Sequence, residues 1–194
     1  MKTPPLAFTE ENFVATILGK KTETRRLSAK PKCAVGDRVY LCEPTRIVGL
    51  GLIDTDVPSV FVKYFWAEDD SVNWNYTERK ITPQDYAKIK ARKIGTYFKQ
   101  PPRFMLKSFA RYHADITSVH QEKLLEITEE GAIAEGIRKP VDGLYFDYLS
   151  STNQYTSPIE SYLSEIAKLN KQTFNAVINE NPLVWVYEYD FVKE

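Results

Sequence analysis

Eight consecutive residues, Gly19-Lys20-Lys21-Thr22-Glu23-Thr24-Arg25-Arg26, bring four cations, two hydroxyls and a carboxylate into one short stretch. Scaffolding rarely needs that much charge beside hydroxyls, whereas a site that grips an anionic or nucleobase-like ligand does. Arg25, Arg26 and the distant Arg111 are suited to phosphate oxygens. Glu43 is suited to accept from an exocyclic amine, as a carboxylate does with cytosine N4. Trp74, Tyr64 and Phe109 are candidates to stack on a base. The same residues also have plain structural readings. Lys20 and Lys21 suit the negative end of the preceding helix. Thr22 and Thr24 are good strand residues. Arg25 and Arg26 have Glu10, Glu11 and Glu23 as possible surface partners.

The elements that must position this stretch follow from local pattern. Leu6 to Phe8 reads as a short strand. Thr9 reads as an N-cap with Glu10 and Glu11 in the first turn, where acids suit the helix dipole. Phe13, Val14, Ile17 and Leu18 fall at helical spacing, and Gly19 is a natural helix stop. The octapeptide therefore begins where a helix ends. Further strands are expected over Asp37–Cys42, Ile47–Ile53, Val57–Trp66 and Phe109–Val119. Glu122–Leu125 reads as a short helical turn. A helix is expected from Pro83 to Arg92, a capped one from Thr128 to Glu135 that stops at Gly136, and another from Pro158 to Phe174. Leu183 to Val192 alternates, with Leu183, Trp185, Tyr187, Tyr189 and Phe191 on one side and Glu188 and Asp190 on the other. The polar stretch Ala67–Gln100 and the loop-like Gly143–Ser157 read as insertions. Irregularly scattered helices among strands argue for an α+β fold, a small mixed β-barrel with peripheral helices, in a single domain over residues 1–194.

Composition narrows the function classes. The 194 residues carry equal numbers of basic and acidic side chains, 26 each, so any polyanion binding must come from a local patch. Aromatics make up 13%, which suits a β-rich core or stacking surfaces. Cys33, Cys42, His113 and His120 do not make a zinc spacing, so neither a metal site nor a cofactor is expected. No apolar run reaches membrane-spanning length and no signal-peptide core is visible, so the expected setting is the cytoplasm with no membrane partner.

Three stretches, in order, carry a likeness to a known family. The first is Phe13 to Arg26 followed by Gly36-Asp37-Arg38-Val39-Tyr40-Leu41-Cys42-Glu43. The second runs from Arg103-Phe104-Met105 through Arg111 to Ile127-Thr128-Glu129-Glu130-Gly131-Ala132-Ile133-Ala134-Glu135-Gly136-Ile137. The third is Asn181-Pro182-Leu183-Val184-Trp185-Val186. Together they resemble the ASCH domain of the PUA-like β-barrel superfamily, in its longer, prophage-encoded form. The resemblance implies binding of RNA or nucleosides, and in some members hydrolysis of N4-acylated cytidines by a lysine, a threonine and a glutamate. Those positions match Lys21, Thr24 and Glu135. Beside them, the expected ligand pocket includes Lys20, Arg25, Arg26, Glu43, Met105 and Arg111. Where prophage-type members commonly read Met-Pro-Arg-Trp, this chain reads Met105-Leu106-Lys107-Ser108.

The residue chemistry of that constellation stands on its own terms. A threonine hydroxyl attacks a carbonyl only when a base takes its proton. A lysine serves as that base when burial or a neighbouring cation destabilises its ammonium. A carboxyl at the C-terminal end of a helix feels a dipole that disfavours its charge, which suits a proton donor to a leaving amine. Lys21 and Thr24 are three apart, so they meet only if Lys21 lies in the turn after Gly19 and Thr24 begins the strand. The expected function is recognition of RNA or a modified nucleoside. Amide hydrolysis by Lys21, Thr24 and Glu135 is the enzymatic alternative, and regulation of a host partner through the insertions is a third.

Overall fold

The computed structural model describes residues 4–43, 45–53, 57–68, 71–91, 98–138, 143–147 and 150–192. The acidic stretches Asp54-Thr55-Asp56 and Asp69-Asp70 lie outside these, as do Arg92 and the side chains of Tyr64 and Trp74.

Local capping chemistry sets most boundaries. After β1 (Pro5–Ala7), α1 (Glu10–Ile17) begins where the Thr9 hydroxyl accepts from the Asn12 amide at 3.3 Å. It ends at Gly19, whose φ of 69° is open to glycine without strain. Next come β2 (Glu23–Arg26), β3 (Arg38–Cys42), β4 (Thr45–Ile53), β5 (Val57–Glu68), β6 (Ser71–Lys80), α2 (Pro83–Ala91), β7 (Phe98–Gln100) and β8 (His113–Lys123). A 3₁₀ turn over Leu124–Glu126 leads to α3 (Glu129–Ala134). The chain closes with β9 (Tyr145–Asp147), β10 (Ser150–Tyr155), α4 (Pro158–Leu169), α5 (Phe174–Glu180) and β11 (Leu183–Val192).

Five strands form a mixed sheet in the order β1-β3-β8-β11-β2, with β1 parallel to β3 and β2 antiparallel to β11. A second, antiparallel sheet runs β6-β5-β4-β7, and β9 with β10 makes a hairpin. The α+β class holds, but the expected closed barrel does not. Among the described residues the larger sheet is open. Its edge strands β1 and β2 are three and four residues long, too short to add the ladder that closure requires.

The chain divides into two compact units, 1–4 with 15–39 and 114–192, and 5–14 with 40–113 and 193–194. In the first, Val184 and Val186 pack with Leu124, Ile127, Ala132, Ile137, Tyr162, Leu163, Ala167 and Val177. Tyr187 and Tyr189, on the other face of β11, are also buried. Both faces of β11 are thus covered, where its alternation suggested one. In the second unit Cys42, Ile81, Ile89, Met105 and Phe109 form the core, so Phe109 is a packing residue.

Several elements differ from the sequence expectation. The polar 67–100 stretch contributes β6, paired with β5 along its full length, and the loop-like 143–157 stretch contributes the β9–β10 hairpin. The expected helix over 158–174 ends at Asn170. Lys171 takes φ 57°, and Thr173 caps the separate α5 by accepting from the Ala176 amide at 3.2 Å.

Candidate functional site

A turn and a helix end place the two central side chains. After Gly19 the amides of Lys20 and Lys21 both donate to the Ala15 carbonyl, at 2.8 and 3.1 Å, which folds the chain back before β2 begins. The Thr22 amide then donates to the Ala134 carbonyl at 2.8 Å, and the Thr22 carbonyl accepts from Tyr189 at 3.0 Å, opening the β2–β11 ladder. α3 starts at Thr128, whose hydroxyl accepts from the Gly131 amide at 3.0 Å, and stops at Glu135 and Gly136. Gly136 has φ 101°, and a Cβ there would lie 3.2 Å from the Lys21 Cβ. Only glycine lets Lys21 lie this close to the helix end.

Glu135 is the hub. The Lys21 ammonium donates to its Oε2 and, at 2.6 Å, to its backbone carbonyl. Lys21 therefore does cap a helix, but it caps α3 rather than the α1 that precedes it in sequence. Oε1 accepts from the Arg25 amide at 2.5 Å, the Tyr162 hydroxyl at 3.2 Å and the Arg25 guanidinium at 3.4 Å. The Arg25 amide is an outward-facing donor of edge strand β2, so Glu135 also satisfies an open sheet edge. Arg25 in turn donates to Glu122 at 2.6 Å and Glu23 at 3.0 Å, and its guanidinium lies 6.0 Å from the Tyr162 ring centre. Of the surface partners expected for the arginines, Glu23 takes up Arg25.

Lys21 is 3% exposed and Glu135 5%. Burial pushes the Lys21 ammonium below its usual pKa, against the opposing pull of Glu135. Burial, reinforced by Glu135, holds the Tyr162 phenol well above its usual range, so it remains a donor. Burial also opposes the charge on Arg25, but Glu135 and the bond to Glu122 outweigh it and raise that group. A lysine and a glutamate in contact share one proton. As ammonium and carboxylate or as amine and carboxylic acid, the pair has the same net charge.

The remaining sequence-predicted residues are distributed as follows. Lys21 lies in the turn and Thr24 is the second residue of β2, as convergence required. Thr24 is buried, on the face of β2 opposite Glu23 and Arg25, and pairs with Tyr187. Among the described residues no hydrogen bond joins its hydroxyl to Lys21 or Glu135. Lys20 is exposed and Arg26 half-buried. In the second unit Arg111 and Glu43 form a two-point ion pair, Nε to Oε1 at 2.8 Å and Nη2 to Oε2 at 2.5 Å. Met105 is buried in that unit's core. Sequence reasoning missed Tyr162, which sits in an apolar helical stripe that reads as core, and Glu122, at the polar end of a strand. Nothing in the local sequence marks either. Among the described residues no group of three or more His, Cys, Asp or Glu side chains is placed to hold a metal ion, and no helix is long and apolar enough to cross a membrane.

Comparison with known proteins adds no relative: no protein-family model, no curated protein and no solved structure matches the chain.

Proposed function

We propose that this is an ASCH-type protein whose Lys21–Thr24–Glu135 constellation hydrolyses the amide of an N4-acylated cytidine or a similar modified nucleoside. The observation that carries the reading is Lys21, buried against Glu135 with its ammonium destabilised. A buried ion pair contributes little net stability, so its presence beside a destabilised ammonium favours a chemical role. In the resting pair, moving the shared proton to Glu135 leaves a neutral Lys21 amine. That amine takes the Thr24 proton as the threonine oxygen attacks the acyl carbon. Glu135 gives its proton to the departing amine as the C–N bond breaks. Water then attacks the Thr24 ester. Glu135 takes a proton from the water and Lys21 returns one to Thr24, releasing the carboxylic acid and restoring the pair.

Small-ligand chemistry is favoured over polymeric RNA because Arg25, the inner cation of the octapeptide, is committed to Glu23, Glu122 and Glu135, and because the net charge is zero. The Thr24 hydroxyl, not bonded to Lys21, favours one second reading: recognition of the modified nucleoside without turnover. Incubation with N4-acetylcytidine, followed by chromatography, separates the two. Appearance of cytidine and acetate supports hydrolysis. Saturable binding with the nucleoside intact supports recognition.

A further inference from the structure

We infer that the Trp185 indole N–H is a ligand hydrogen-bond donor on the Thr24 face, aimed at the acyl carbonyl oxygen of the amide substrate. This rests on the reading of the site as one for an acylated nucleoside. In the β2–β11 ladder Trp185 lies opposite Arg26 and Tyr187 opposite Thr24. Directly opposed residues share a face, so Thr24, Arg26, Trp185 and Tyr187 all project from the same side. Trp185 is the diagonal neighbour of Thr24, a separation that an aromatic side chain bridges.

The indole nitrogen itself is buried and finds no acceptor among the described residues, although the residue as a whole is half-buried. A tryptophan N–H only donates. Left without an acceptor it carries an uncompensated desolvation cost, and buried donors are ordinarily satisfied. Two buried hydroxyls on the same face of this strand do have partners: Tyr187 accepts from the Lys32 amide at 2.9 Å and Tyr189 is bonded to Thr16 at 3.0 Å. An acyl carbonyl held for attack by Thr24 supplies the missing acceptor. As Thr24 adds to that carbonyl, its oxygen gains negative charge and the indole bond strengthens, which lowers the barrier.

The test follows the indole signals of ¹⁵N-labelled Thr24→Val protein, which lacks the nucleophile and leaves the nucleoside intact, assigned through bonds, during titration with N4-acetylcytidine and, separately, cytidine. The Trp185 N–H is expected to shift on N4-acetylcytidine and far less on cytidine, which keeps the ring acceptors but lacks the acyl carbonyl. Trp185→Phe, which keeps an aromatic ring, is expected to lower kcat by about a hundredfold with KM little changed. If the Arg25 and Arg26 amides move while the Trp185 indole does not, the inference is overturned and the ligand reading stands. Equal shifts with both nucleosides, or a Trp185→Phe protein with unchanged kcat, also overturn it. If no signal moves with either nucleoside, the ligand reading fails and the inference falls with it.

Discussion

At the scale of single residues, the site is a carboxylate that gathers four donors. Glu135 receives Lys21, Arg25 twice and Tyr162. Replacing it with alanine leaves two cations buried without it, so Glu135→Ala is expected to cost about 3–5 kcal/mol in chemical denaturation. A cost under about 1 kcal/mol would mean that the cations re-pair or reach water. Tyr162 gives a pH test. Its folded-state pKa lies above the unfolded value, so the unfolded chain loses its proton first as pH rises. Its contribution is therefore intact below about pH 10 and is lost above it. Wild type should lose stability relative to Tyr162→Phe as pH rises beyond 10, and parallel curves would contradict the burial of the phenol. Residue type and resemblance pointed to Lys21 and Glu135, which the structure brings into contact, and to Thr24, which is bonded to neither. Tyr162 was not legible, because a tyrosine in a helical apolar stripe looks the same whether its hydroxyl meets solvent or a carboxylate.

At the scale of elements, glycines and caps carried the sequence reading furthest. Thr9, Gly19, Thr128 and Gly136 all act where their types indicated. Gly136→Ala is expected to destabilise the fold by about 1–3 kcal/mol, through both its positive φ and the Lys21 contact, and to weaken activity by shifting Lys21. A mutant with wild-type melting and activity would show that the helix end tolerates a Cβ. Thr128→Ala, which removes the α3 cap, should cost about 1 kcal/mol. The break between α4 and α5 was hidden because apolar spacing continues across it; its signals are the Asn170-Lys171 turn and Thr173 as a second N-cap. The β9–β10 hairpin and β6 were read as insertion because polar, partly alternating segments look like loops until a partner strand is known.

At the scale of the whole molecule, pattern indicated the α+β class, while closure of the sheet depends on strand length and pairing that periodicity does not encode. The candidate residues fall in two compact units, Lys21, Thr24, Arg25 and Glu135 in one and the Glu43–Arg111 pair in the other. With zero net charge and Arg25 internally paired, affinity for N4-acetylcytidine should change little as salt is raised; a steep fall would instead indicate phosphate contacts and a nucleic-acid ligand. The most direct test of the central claim is hydrolysis of N4-acetylcytidine by the wild type beside Lys21→Ala, Thr24→Ala and Glu135→Ala, with folding of each checked by circular dichroism. The account predicts cytidine and acetate from the wild type and at least a hundredfold less from each folded variant. Undiminished turnover in folded Thr24→Ala, or none in the wild type, would contradict it.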